Sequence, residues 1–344
     1  MRQSALPPVL LGLAGPFLFP LVATLTMPRS ESVVLPLRDD LEKPPVKPAF
    51  SEDLQDRHLK QDFKPQYWRD TEPWSPGWLP EACYMEARYN ELDPLEFQVV
   101  DVWYKDCAAP WTICRHSRAK ENWGTILDTL SSVPVGMRQY ISNLVILPGA
   151  SNKGGSPGMQ AAAYTRGSVL TFAPTFFKLG VLFHEITHIM DLVALEPFLR
   201  NQGYPEGTPF SHTKYWKYIY ANDTSVPTPY SRASWQENFA DAGRWAMTHF
   251  SRRRGLSEYS KGWRGCQAQI YGWEQWMGGK VFPRGGRCTG KVHSGKAVWV
   301  EGELQREKAE AERQRQKKEQ AGLSGVQQIV IPDWAAASLF VYHR

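Results

Sequence analysis

The sequence predicts an α+β fold: a sheet-and-helix lobe organised around one metal-binding helix. Three observations carry that expectation. Between residues 118 and 191, a helical period, a short apolar strand, a Gly-rich loop, a second strand and a His-bearing apolar helix follow one another, an order that sets helices against one sheet. A second strong helix, with a one-sided apolar stripe of Phe239, Ala242, Ala246, Met247 and Phe250, runs over 237–250. Hydrophobic residues make up 42% of the 344, with 12% aromatic, enough for a packed core and unlike a disordered chain. The net charge of +5 comes without a basic stripe interleaved with aromatics, so nucleic acid is not an expected partner.

Taken in order, residues 1–26 read as a secretory signal peptide: Arg2 is the positive start, 9–25 is largely apolar, and small residues follow. The competing reading is a membrane anchor, but Pro7, Pro8, Pro16 and Pro20 break the stretch, and a spanning helix needs roughly 20 apolar residues. A secreted, extracellular or cell-wall location is expected, with no stable membrane association after signal removal. Residues 27–65, rich in Pro and charge, read as a linker or propeptide with little packing. Residues 66–300 form the main domain, opening with a Trp- and Cys-dense stretch whose 97–104 run is a strand candidate. The five cysteines contain no CxxC pair, so disulfides are expected in an oxidising compartment. Proximity suggests Cys107 with Cys114 and Cys266 with Cys288, leaving Cys83 odd. Asn222-Asp223-Thr224 is a glycosylation sequon.

Residues 118–132 have helical periodicity and end before Pro134. Residues 141–147 and 168–172 are the strand candidates, and Pro174 ends the second. The loop 151–159 is either a mobile rim over a cleft or a plain connection. Further helical patterns fall at 213–221 and 267–277. The last section, 301–344, is a charged helix and tail: 301–320 reads as a solvated helix or tether, and the apolar 326–342 docks back on the body. The fourteen Trp are scattered, which favours core packing over a stacking surface for glycans.

The chemistry concentrates in residues 181–191. His184 and His188 lie at i and i+4, on one face of a helix, and can point two imidazoles at one cation. Glu185 can reach a water on that cation, which is the zinc-protease arrangement. The helix is apolar nearly all round, so polar residues packed in it are costly unless paired or ligating. A catalytic zinc keeps three protein ligands. Glu237 is the best third, and Asp241, one turn on, can accept the second N–H of His184. The competing reading makes both acids part of a solvated face near a helix N-terminus.

At these residues the chain resembles the gluzincin metalloproteases, in which a His-Glu-x-x-His helix is followed by a helix with a glutamate ligand. The segment Tyr230-Ser231-Arg232-Ala233-Ser234-Trp235-Gln236-Glu237 is similar to that of the anthrax lethal factor group. The resemblance implies a zincin-like metallopeptidase fold with an active-site helix, an edge strand at 168–172 that takes an extended peptide, and a C-terminal helical subdomain. It further implies one catalytic Zn2+ held by His184, His188 and Glu237, Glu185 as general base, and Tyr230 as donor to the oxyanion, with His212 the runner-up for that role. The expected function is then a secreted zinc-dependent endopeptidase acting on a peptide or protein substrate. The alternatives are a non-catalytic secreted developmental or cell-wall protein retaining a zinc site, and a glycan-binding module. In its signal peptide, Trp-rich body and length, the chain also resembles secreted fungal proteins associated with conidiation.

Overall fold

The computed structural model describes residues 41–66, 68–149, 163–173, 177–282, 285–320 and 340–341. The signal segment, Pro174, the loop 151–159 and most of the apolar tail lie outside them. Helix α1 (Glu52–Asp62) precedes strands β1 (Trp68–Pro73) and β2 (Trp78–Pro80) and helix α2 (Glu81–Tyr89). Strands β3 (Phe97–Tyr104) and β4 (Trp111–His116) follow, then helices α3 (Trp123–Ser131) and α4 (Val135–Arg138). Next come β5 (Asn143–Ile146), β6 (Ala163–Arg166), β7 (Val169–Phe172) and helices α5 (Leu179–Val193), α6 (Glu196–Asn201), α7 (Lys214–Ala221) and α8 (Trp235–Ser251). Helices α9 (Gln267–Trp273) and α10 (Gly279–Val281), strand β8 (Ala297–Trp299), helix α11 (Val300–Gln320) and strand β9 (Phe340–Val341) complete the order. The α+β class is as expected.

One mixed sheet runs β1-β3-β4-β5-β7-β6-β9. Its centre, β4-β5-β7, is parallel, and its flanks are antiparallel. Parallel strands are buried on both faces, which explains why β5 is wholly buried. Side chains alternate across the sheet. Leu144 and Ile146 enter the larger core, which also holds the buried faces of α1, α3, α5 and α8, while Val145 enters a smaller core with residues of α2 and β8. The helices after β7 share the larger core with the sheet. Trp111, Trp216, Trp245 and Trp273 are among the largest fully buried side chains, in line with the core-packing reading of the tryptophans.

Three expectations are corrected. The 168–172 strand is not an edge: β7 lies between β5 and β6, and β6 is in turn covered by β9, so the backbone groups of β7 are spent within the sheet. The disulfides are Cys83–Cys114 and Cys107–Cys288, with Cys266 free and buried. The two cysteines face different cores: Cys114, on β4, faces the smaller one, whereas Cys107, in the turn before β4, belongs to the larger one with Trp111 and Ile113. Lastly, residues 43–63 pack closely. Val46 and Leu59 are buried, Phe50 stacks on Trp245 at 4.3 Å, and Gln55 Nε2 donates to Thr248 Oγ1 at 2.7 Å. This strap, a Pro-containing stretch followed by α1, packs against α8.

Candidate metal centre

Every residue of α5 from Leu179 to Asp191 is buried. Leu182, Phe183, Ile186, Ile189 and Met190 each contribute about 1.5–3 kcal/mol by leaving water, so apolar packing fixes the helix on which the two histidines ride. Helix α8 crosses it closely. Gly243 makes this possible, because a Cβ there would stand 2.5 Å from Thr187 Oγ1 and 2.6 Å from Trp273 Nε1. At the start of α8, the Ser234 hydroxyl accepts the backbone N–H of Glu237 at 3.1 Å, an N-cap that places Glu237 in the first turn.

The expected ligands meet. His184 Nε2 and His188 Nε2 lie 3.0 and 3.3 Å from the same oxygen, Glu237 Oε2, and 3.2 Å from each other. One donor atom from each of the three residues falls within a 4.8 Å span. Three acceptor groups converging in a buried volume require a cation or a proton between them. Two imidazoles and a carboxylate suit Zn2+. Asp241 Oδ1 faces His184 Nδ1 at 3.3 Å, which sets the ring so that Nε2 looks inward. Glu185 is fully buried, and neither of its carboxylate oxygens has a hydrogen-bond partner among the described residues.

The charges follow from this geometry. Burial works against the His184 imidazolium, but hydrogen bonds to Asp241 and Glu237 outweigh it and raise its pKa to about 10. Burial alone would raise Glu237 and Asp241. The imidazoles of His188 and His184 bring Glu237 down to about 2, and His184 with Arg244 does the same for Asp241. His188 is lowered, mainly by burial. Burial also pushes Glu185 up to about 8.

Tyr230 opens a 3-10 turn (Tyr230–Arg232) just before α8. Its ring is 5.9 Å from that of His184, and its phenol faces the Glu237 carboxylate. Burial and the surrounding carboxylates push its phenol upward. Sequence reasoning missed what holds this turn: Asp241 Oδ2 accepts from the Thr228 hydroxyl and from Ser231 Oγ at 2.7 Å. Asp241 therefore braces His184 with one oxygen and the Tyr230 turn with the other. It also missed Asp191, at the end of the metal helix, which accepts from Ser211 N at 2.7 Å and Ser211 Oγ at 2.6 Å. His212, next along, is exposed.

A family model described as conidiation-specific protein Con-13 matches residues 54–267. Conidiation-specific protein 13 of Neurospora crassa is 29% identical over 177 residues, covering 50% of this chain and 46% of the relative. The chain thus spans about half the length of the curated relative it matches. No solved structure matches.

These findings overturn the gluzincin identification and, with it, the endopeptidase function and the enzyme assignment. The physical reason lies in what the motif specifies. Spacing of i and i+4 plus a carboxylate from a neighbouring helix makes a donor set for a cation, and turnover does not follow from a donor set. The similarity to conidiation proteins is the one that stands. Because the matched model covers more than half of the chain, from α1 through α5 and α8 to the start of α9, the chain belongs to the conidiation-specific protein Con-13 family.

Proposed function

We propose that this protein is a secreted developmental or cell-wall protein that retains a zinc site for stability or binding, without turnover. The observation that carries the reading is the buried convergence of His184, His188 and Glu237 on one point. Bound Zn2+ would supply a fixed charge tying α5 to α8, and a buried metal of this kind is folding free energy. His184 and His188 would hold it from one helix and Glu237 from the other, while Asp241 orients His184. The two-helix cradle beside a mixed sheet supports a zincin-like scaffold kept for metal retention. Secretion is supported by the two disulfides. The relative's name supports a role in conidiation.

Metal analysis of the purified mature protein tests this directly. One zinc per chain is expected, together with a lower unfolding temperature after chelation and no cleavage of a peptide library by the zinc-loaded protein. A chain that takes up no metal sinks the site, and library cleavage lost on Glu185→Gln sinks the non-catalytic reading.

A further inference from the structure

We propose that the Tyr230 oxygen is a fourth protein ligand to the metal, making the site a closed His-His-Glu-Tyr centre. The inference rests on the metal site proposed above and deepens it. A zinc held for structure is four-coordinate and closed by protein, yet α5 and α8 supply only His184, His188 and Glu237. Three more side chains reach the same place. Asp241 is committed, one oxygen to His184 Nδ1 and the other to the hydroxyls of Thr228 and Ser231. Glu185 makes no hydrogen bond to any of the three ligands. Tyr230 brings a phenol that faces the Glu237 carboxylate, on a ring 5.9 Å from that of His184.

The surrounding structure holds the phenol in place. Thr228 Oγ1 accepts the backbone N–H of Tyr230 at 3.2 Å and donates to Asp241, and Ser231, one residue on, also donates to Asp241. The group that aims His184 therefore aims Tyr230 as well. An oxyanion donor needs room for a reacting group between itself and the metal. A ligand needs none, which agrees with a ring set against His184.

Copper(II) supplies the test, because a coordinated phenolate gives a visible charge-transfer absorption that imidazole and carboxylate ligands lack. The metal-free full-length protein is loaded with one equivalent of copper. The wild type is expected to show the band, Tyr230→Phe and Tyr230→His to bind copper without it, and zinc affinity, by competition with a chromophoric chelator, to fall at least about 10-fold in Tyr230→Phe. Stoichiometric copper with no band in the wild type, or a band that persists in both variants, overturns the proposal and assigns the fourth position to a solvent-derived ligand beside Glu185. Failure of the wild type to take up any metal overturns the site itself, so the two failures are distinguishable.

Discussion

Two buried charged clusters lie in the same core and solve one electrostatic problem in opposite ways. At the first, Arg138 is fully buried between the rings of Tyr104 and Trp111, each 4.4 Å from its guanidinium carbon. It donates to the carbonyls of Leu130, Ser131 and Val133 and to Asp106. At the second, His184, His188 and Glu237 bring acceptors and no permanent cation of their own, and Arg244 acts on Asp241 behind them. A buried charge is tolerated only when paired. The first cluster carries both halves of its pair within the chain. The second must take its positive charge from solution, as a metal ion or as a proton on His184. A closed network of this sort reads as architecture, and an open one reads as a binding site.

The largest effect expected is at the closed cluster. Arg138→Ala leaves the carbonyls of Leu130, Ser131 and Val133 facing a cavity, and should cost about 3 kcal/mol or more in denaturant unfolding. The loss should be the same with and without zinc. A zinc-dependent loss would break the contrast, since it would tie the arginine to the metal.

At the open cluster, the effect should depend on the ligand. Zinc at a hundredfold excess over its Kd is expected to stabilise the wild type by about 2.7 kcal/mol. In His188→Ala that increment should vanish along with the bound zinc. Unfolding followed with zinc and with chelator reads both, and an unchanged increment in the variant would remove His188 from the site. Asp241→Asn should act more weakly: metal affinity falls about 10–100-fold, while one zinc per chain is still bound at saturation. An unchanged affinity would mean that Ser234 capping and packing alone position the ligands.

What was legible in the sequence separates along the same line. Helices α5 and α8 announced themselves because periodicity and spacing are local properties: His184, His188, Glu237 and Asp241 could be named as a group, and they do meet. The braces were not legible. Thr228 and Ser231 are hydroxyls in an irregular loop, and nothing periodic marks them as partners of Asp241. The strap was misread for a related reason. Its Pro and charge content looks unpacked, yet Gln55 and Glu52 bond to Thr248 and Arg244, partners about 190 residues away that no local pattern reveals. The disulfides failed because proximity along the chain ignores which face of a strand a cysteine occupies. Function failed at the step from donor set to chemistry, where Glu185 and Tyr230 were given the roles that a resembling family assigns them.

Proton release is the effect most diagnostic of a cluster that borrows its cation. Without metal, His184 stays protonated to about 10, so at neutral pH its Nε2 must lose a proton before it can take zinc. Calorimetry in two buffers of different ionisation enthalpy should read about one proton released per zinc, and affinity should rise about tenfold per pH unit between pH 6 and 8. The stability sign follows from the same shift. An unfolded histidine titrates near 6.5 and the folded one near 10, so the stabilisation is complete below 6.5 and is lost as pH rises through 10. The metal-free protein should therefore weaken across that window while the zinc-loaded protein, whose charge does not titrate there, holds its stability as the Arg138 cluster does. Zinc uptake without proton release would mean that His184 is neutral in the free protein and that the open cluster carries no borrowed proton.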